Sequence, residues 1–164
     1  MKILGIDPGL DGAFCVVDSL QNIDALMSTP TLDVKTGQSV KRRLDYQVAA
    51  GWFDLHRHGI DLAVIEEVTS SPQMGVTSAF AFGELFGAVR ALVAAFGIPV
   101  MRVRPQVWKS HFGLLRQTKD ASRAKATALA PKFAGQWAKK KDDGRAESFL
   151  LACYGLRIGQ TTTS

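Results

Sequence analysis

Short apolar runs separated by turn residues open the chain and predict consecutive strands. Residues 2–6 form a first apolar run, which ends at Asp7 before a turn rich in proline and glycine. Residues 13–17 are rich in β-formers, and residues 22–27 alternate apolar with polar positions. Because only a few turn residues separate these runs, we expect three strands paired as an antiparallel meander. The following segment, residues 28–43, is rich in Ser, Thr, Gly, Lys and Arg and is predicted to be a loop.

Beyond residue 43 the pattern alternates between helical and strand periodicity. The first of these segments is predicted to be helical because apolar residues recur at helical spacing, namely Leu44, Val48, Trp52 and Leu55. The elements predicted in order are a helix over 44–58, a strand over 61–68, a nearly all-apolar helix over 76–96, a strand over 100–103, further helices, and a last helix over 142–154.

This order of elements predicts an α/β fold in one domain over residues 1–158, followed by a flexible polar tail over 159–164. Three antiparallel strands followed by alternating helices and strands make a mixed five-stranded sheet flanked by helices. The arrangement resembles the ribonuclease H-like fold.

Composition excludes several classes of protein. A chain of 164 residues with 46% apolar and 21% charged residues is typical of one globular domain. The richest apolar stretch contains Glu84 and Arg90, so no membrane partner is expected. Cys15 and Cys153 lie in apolar runs without the spacing of a metal or redox motif, and the opening residues lack the apolar segment of a secretory signal. We therefore expect a cytoplasmic protein, in a bacterial cell or a phage-infected host.

Positive charge is concentrated in one block. Residues 100–141 hold 11 Lys or Arg against the single acid Asp120, although the whole chain carries only +5. Trp108, Phe112 and Trp137 interrupt this block, and basic segments interleaved with aromatics favour nucleic acid as a partner. The alternative interpretation is a solvated basic surface.

Four acids occupy positions that point to a shared site. Asp7 and Glu66 each follow a buried strand directly, so they lie side by side if those strands are neighbours. Asp143 and Glu147 lie four residues apart at the start of the last helix and share one face of it. Taken singly, each acid could instead cap a turn or a helix, or end a strand.

Clustered carboxylates repel one another unless a cation lies between them, at about 4 kcal/mol for two charges 4 Å apart at a dielectric of about 20. Oxygen ligands without His or Cys favour Mg²⁺ or Mn²⁺ over zinc. Two such ions can stabilise both the attacking and the leaving oxygen of a phosphodiester. An acidic metal site beside a basic block therefore indicates a nuclease.

Three segments together resemble the RuvC family of Holliday junction resolvases, in its phage and organellar variants. They are residues 3–10 (ILGIDPGL), 64–68 (VIEEV) and 141–152 (KDDGRAESFLLA), in the same order across about 150 residues. The resemblance implies a homodimer that nicks two strands of a four-way junction symmetrically. It also implies two Mg²⁺ ions per site, replaceable by Mn²⁺, held by Asp7, Glu66 and one or both of Asp143 and Glu147. Asp142 remains an alternative to Asp143.

The resemblance also extends to DNA contacts. Lys109 and Lys119 resemble family lysines that meet DNA near the scissile phosphate, although both suit a plain surface role too. Arg104, Arg116 and Arg123 belong to the same basic block. The loop over 69–75 lacks an aromatic residue for stacking at the junction centre, so Gln73 and Met74 are the available wedge residues.

Three other functions compete with junction resolution. A ribonuclease H-like nuclease acting on flaps, forks or RNA–DNA hybrids would use the same carboxylates. A binding module without catalysis would keep the fold but has no need of four intact acids. A small actin-like kinase would share the Asp7–Gly9 turn, but the chain is too short for two lobes. No motif in the sequence identifies an accessory branch-migration protein.

Overall fold

The computed structural model describes residues 1–69 and 73–161. Within them the strands are β1 (Lys2–Asp7), β2 (Ala13–Asp18), β3 (Ile23–Ser28), β4 (Thr31–Thr36), β5 (Ser39–Leu44), β6 (Leu62–Glu66) and β7 (Val100–Val103). The α-helices are α1 (Tyr46–His56), α2 (Val76–Ala95), α3 (Pro105–His111), α4 (Lys119–Leu129) and α5 (Asp143–Thr161). Two 3-10 segments, Pro131–Trp137 and Lys140–Asp142, connect α4 to α5.

The main sheet has five strands in the order β3-β2-β1-β6-β7. β1, β2 and β3 pair antiparallel, whereas β6 runs parallel to β1 and β7 runs parallel to β6. β1 and β6 are apolar along nearly their whole length because both faces of the sheet are covered. The predicted fold class, a mixed five-stranded sheet with an antiparallel first half, is confirmed.

Each face of the sheet carries its own apolar core. Ile3 and Val64 point to the side covered by α3, α4 and α5, where Phe149 is fully buried. Ile6 and Ile65 point to the other side, where α1 and α2 pack. The central strands therefore lie between two layers of helices.

Three aromatic residues of the basic block lie in the core on the α5 side. Trp108, Phe112 and Trp137 are 0%, 5% and 1% exposed. The interpretation that they interleave a nucleic-acid surface is therefore wrong, because their burial stabilises α3 and the 3-10 segment against α5. Seven cations of the block remain exposed around them, namely Arg102, Arg104, Arg116, Lys132, Lys139, Lys140 and Lys141.

Helix α5 lies unusually close to the central strand. A Cβ atom at Gly5 would lie 2.0 Å from the carbonyl oxygen of Ser148 and 2.5 Å from the amide nitrogen of Ala152. Any side chain at residue 5 would force the helix away from the sheet. This contact fixes where the first turn of α5 meets the end of β1.

The prediction of a loop over residues 28–43 is wrong. That segment contains most of a β-hairpin, with β4 and β5 paired from Thr31 opposite Leu44 to Thr36 opposite Ser39. The hairpin is a two-stranded sheet separate from the main one. Its apolar positions, Leu32, Val34 and Val40, are few and exposed among charged and polar residues, so the strand signal in the sequence is weak.

The helical face predicted for α1 is also partly wrong. Val48 and Leu55 are 49% and 73% exposed, and the residues that α1 buries are Ala49 and Phe53. Leu44 is buried, but it ends β5. The prediction chose the wrong side of α1 as the buried one because it followed the large apolar residues. A small residue, Ala49, lies on the side that is actually buried.

Helix α2 packs on the sheet along one narrow side. Leu85, Val89 and Val93 are buried, whereas Val76 and Phe80 are 87% and 73% exposed. By length and composition alone α2 could cross a membrane. Leu85, Val89 and Val93 are the residues that it buries.

The last helix is longer than predicted. α5 begins at Asp143 and continues past Tyr154 to Thr161, so the predicted end at residue 154 is too early. The predicted tail over 159–164 thus begins inside α5, and residues 162–164 lie outside the described part of the chain.

Candidate active site

The ends of two neighbouring parallel strands bring Asp7 and Glu66 together. Ile6 pairs with Ile65, so the next residues, Asp7 and Glu66, follow side by side on the face opposite to those isoleucines. That face is the one covered by α5. The adjacency predicted from sequence is therefore present in the strand register.

The first turn of α5 brings two more carboxylates to this strand end. Asp143 is the first residue of the helix, and Glu147 follows one turn later. Between them, a Cβ atom at Gly144 would lie 2.3 Å from the carbonyl oxygen of Asp11, so the helix abuts the loop that follows β1. Asp142 instead caps the preceding 3-10 segment, where its Oδ2 accepts from the Lys139 amide at 3.1 Å.

A cleft of about 940 Å³ opens between the first turn of α5, the β1–β2 loop and α2. Asp7, Asp143 and Glu147 line it, together with Lys140 and Lys141. The opposite wall is formed by residues of α2 and the segment before it, namely Met74, Ser78, Ala81, Phe82 and Leu85. The cleft thus combines carboxylates, lysines and an apolar wall.

Glu66 lies deeper than the other acids and is 8% exposed. Its Oε1 accepts a hydrogen bond of 2.8 Å from the indole nitrogen of Trp108. Burial raises the pKa of Glu66 above the ordinary value, and repulsion from Glu147 raises it further. The Trp108 hydrogen bond and the charge of Lys109 oppose this shift without cancelling it.

Protein cations accompany the carboxylates of α5. Lys109 Nζ lies 3.2 Å from Glu147 Oε1, and Ser122 donates a hydrogen bond of 3.0 Å to the same oxygen. Arg123 Nε lies 3.0 Å from Asp143 Oδ1, close enough for an ion pair but not aligned as a hydrogen bond. Each acid of α5 is therefore partly neutralised by a residue of α3 or α4.

The donor set suits a hard divalent cation. The elements that carry Asp7, Glu66, Asp143 and Glu147 converge at one strand end, and the repulsion between Glu66 and Glu147 is of the kind that a bound cation removes. Within residues 1–69 and 73–161, however, no three His, Cys, Asp or Glu side chains are close enough together to form a coordination shell. Instead, three of these carboxylates contact Trp108, Lys109, Ser122 and Arg123.

The predicted DNA-binding residues fall into different environments. Met74 lines the cleft, and Gln73 beside it is exposed. Arg116 is exposed, and Arg104 is exposed with its Nε 3.6 Å from Glu67 Oε2. These four side chains remain at the surface, where a polyanion can reach them.

The other three predicted cations differ. Lys109 and Arg123 are held by Glu147 and Asp143, and Arg123 also contacts Asp120 and the carbonyl oxygen of Ala138. Both therefore lie against the carboxylates rather than on an open surface. Lys119 begins α4, and its side chain lies outside the described part of the chain.

Sequence reasoning does not identify Trp108 or Ser122 as part of the site. It uses Trp108 only as one of the aromatics that favour a nucleic-acid partner for the basic block, although this residue is fully buried and donates to Glu66. One signal was available for it, because it immediately precedes Lys109. Ser122 lies in α4 without a distinctive pattern around it, so only the packing of α4 on α5 reveals it.

Comparison with solved structures shows a shared fold at low sequence identity. Thermus thermophilus RuvC in complex with a Holliday junction substrate superposes with a TM-score of 0.62 at 19% identity, over 97% of this chain and 96% of that chain. Another T. thermophilus RuvC structure gives a TM-score of 0.57 at 19% identity, over 97% of both chains. The yeast mitochondrial Holliday junction resolvase Ydc2 gives 0.53 at 14% identity, over 98% of this chain and 82% of that one.

These similarities extend along nearly the whole chain, so the resemblance inferred from three short segments is confirmed at the level of the fold. No protein-family model and no curated relative matches the sequence.

Proposed function

We propose that this protein is a divalent-metal-dependent endonuclease that resolves four-way DNA junctions. The observation that carries the proposal is one cleft lined by Asp7, Asp143 and Glu147 together with Lys140 and Lys141. Carboxylates supply ligands for cations, and lysines at the same opening attract the phosphates of a polyanion. The solved proteins that share the fold, a RuvC bound to a Holliday junction and a mitochondrial resolvase, support the junction as the substrate.

Asp7, Glu66, Asp143 and Glu147 would hold two Mg²⁺ ions, whose chemistry is to stabilise charge at the attacking and leaving oxygens of the phosphodiester. The chain supplies the remainder. Trp108 and Ser122 orient the carboxylate oxygens of Glu66 and Glu147, which is the role that outer hydrogen bonds serve at metal sites. Lys109 places a positive charge beside Glu147, where it would also attract the phosphate of a bound strand.

A homodimer accounts for the exposed side of α2. Val76 and Phe80 are exposed, and a Cβ atom at Gly83 or Gly87 would meet no other atom within 4 Å. Their spacing places all four on one side of the helix. Apolar and small residues along one exposed helix face suit close contact with a second copy. A twofold dimer would present two equal sites to the two equivalent strands of a junction.

The proposal is tested by incubating a labelled synthetic four-way junction with Mg²⁺ and three proteins: wild type, Asp7→Asn and Asp54→Asn. Asp54 is an exposed acid on α1 that pairs with Arg57, so it controls for the loss of one charge. We expect paired symmetric nicks from wild type and Asp54→Asn. Asp7→Asn should retain binding of the junction and lose cleavage.

The other outcomes separate the alternatives. Full activity of Asp7→Asn would contradict a carboxylate metal site. Preferred cleavage of flaps, forks or hybrids over junctions would assign the site to a different branched substrate. Tight junction binding without nicks in either Mg²⁺ or Mn²⁺ would identify a binding module.

A further inference from the structure

The hairpin formed by β4 and β5 stands beside the cleft rather than in the main sheet. Its ladder is closed at the base by the amide of Asp45, which donates to the carbonyl oxygen of Pro30 at 2.9 Å. Each strand has six residues, and at a rise of about 3.4 Å per residue the hairpin is about 20 Å long. Its tip is the two-residue turn Gly37–Gln38, in which Gly37 has φ 61°.

The base of the hairpin is tied to the rim of the cleft. The guanidinium of Arg42 donates to the carbonyl oxygen of Leu10 at 2.8 Å and to Asp11 Oδ1 at 2.7 Å. Leu10 and Asp11 line the same cleft as Asp7. The orientation of the hairpin is therefore fixed relative to the carboxylates.

The hairpin is strongly basic. Residues 31–44 contain Lys35, Lys41, Arg42 and Arg43 against the single acid Asp33. The strand register places Lys41 and Arg43 on one face and Lys35 on the other. In the described part of the chain no carboxylate forms an ion pair with Lys35 or Lys41.

Burial does not account for these strands. Leu32, Val34 and Val40 are 40%, 37% and 65% exposed, so, apart from Leu44 at the base, the apolar residues of the hairpin lack the cover that strands of the main sheet have. An exposed ribbon of alternating cations and β-formers is better explained by a partner than by the core.

We infer that this hairpin is a DNA-binding arm that contacts the phosphates of the duplex next to the cleaved strand, an inference that rests on the proposed function. A two-stranded ribbon fits the major groove of B-form DNA, and cations on both of its faces can reach the phosphates on either side. A second copy of this chain is a poorer occupant, because it would bring an equally basic hairpin and a chain of net charge +5. Such contacts position the duplex and carry no sequence preference of their own.

The first test neutralises the cations that the fold itself does not use. Lys35→Gln/Lys41→Gln/Arg43→Gln should weaken junction binding about tenfold or more, and should reduce the slope of log K against log salt by about 0.9 for each phosphate that the hairpin no longer neutralises. Cleavage of bound junction at saturating protein should be unchanged. Lys35→Arg/Lys41→Arg/Arg43→Lys, which conserves charge, should bind as wild type does.

The second test looks for direct contact. Cys15 and Cys153 are buried, so a photo-cross-linker attached to Gln38→Cys labels the exposed hairpin tip selectively. Ser19→Cys is the matched control, because Ser19 is exposed in the β2–β3 turn, at the end of the sheet away from Asp7. We expect cross-links to the duplex next to the nick from residue 38 and none from residue 19.

The outcomes distinguish the two proposals. If wild type cleaves junctions while the neutral variant keeps both affinity and salt slope, the arm is rejected and the nuclease stands. If the neutral variant instead loses self-association, the hairpin contacts a second copy, which also overturns the arm. If wild type binds no DNA at all, both proposals fail.

Discussion

The indole nitrogen of Trp108 donates a hydrogen bond of 2.8 Å to Glu66 Oε1, which links the first turn of α3 to the carboxyl end of β6. Trp108 is fully buried and Glu66 nearly so, so no solvent replaces this donor when it is removed. This hydrogen bond fixes the position of Glu66 Oε1 and does not involve Glu66 Oε2. Trp108 thus acts on the site through Glu66, as a positioning residue.

We expect Trp108→Phe to lower the apparent Mg²⁺ affinity of cleavage by about 10- to 100-fold, because outer hydrogen bonds orient metal ligands. The unfolding free energy should also fall by about 1–3 kcal/mol, since a buried acceptor loses its donor. A Mg²⁺ titration of junction cleavage measures the first effect. Trp137→Phe is the matched control, because that buried indole donates to Thr127 Oγ1 at 2.9 Å instead. Equal Mg²⁺ dependence in the two variants would contradict the role of Trp108.

Glu66→Gln should change how stability depends on pH in the absence of metal. Burial raises the pKa of Glu66, so the folded protein holds this proton more tightly than the unfolded chain does. Wild type should therefore lose unfolding free energy relative to Glu66→Gln as the pH rises from below 4.5, the ordinary value, through the raised value of the fold. Urea unfolding in EDTA from pH 4 to pH 8 measures the difference. Parallel curves would show that Glu66 has the same pKa in the folded and unfolded states, which would contradict the raised pKa.

In the wild type, Lys109 Nζ lies 3.2 Å from Glu147 Oε1, and the charge of Lys109 lowers the pKa of Glu66. Lys109→Gln removes this charge. We expect cleavage to fall at least tenfold at saturating junction, with its pH dependence shifted to higher pH because the carboxylates lose a stabilising charge. The measurement is a pH profile of single-turnover cleavage. Lys125→Gln, the same charge change on α4, should alter binding alone. An unshifted profile for Lys109→Gln would place Lys109 outside the site.

Phe80→Glu should convert a dimer to a monomer, because it places a charge on the exposed apolar side of α2. Light scattering after size-exclusion chromatography measures the mass. Leu55→Glu is the matched control, since Leu55 on α1 is also 73% exposed but lies outside the proposed interface. In the junction assay the monomer should produce single nicks rather than paired ones. A wild type that is monomeric at all concentrations would refute the proposed interface.

The sheet could be predicted because its strands are apolar on both faces. β1, β2 and β6 bury nearly every residue, and such continuous apolar runs can be recognised as strands in the sequence whatever packs on them. The same burial made Asp7 and Glu66 conspicuous, since each is the first acid after an apolar run. Asp143 and Glu147 could be paired from helical spacing alone.

The hairpin and the neighbours of the carboxylates could not be predicted in the same way. β4 and β5 are held by cross-strand hydrogen bonds and by Arg42 rather than by burial, and hydrogen bonding leaves no periodic trace in a sequence. Ser122 and Arg123 reach the acids of α5 only because α4 packs on α5. Contacts between side chains on distant segments depend on packing, which no local pattern encodes.

The close seating of α5 against Gly5 has a consequence for when the protein can act. β1, β6 and α2 leave the ribosome well before α5 does, yet two of the four acids of the proposed site lie on that helix. Until residues 143–152 have been synthesised and have docked, the face of the sheet that carries Asp7 and Glu66 lacks its cover by α5. Any chain that stops before residue 143 therefore lacks Asp143 and Glu147, two of the four acids of the proposed site.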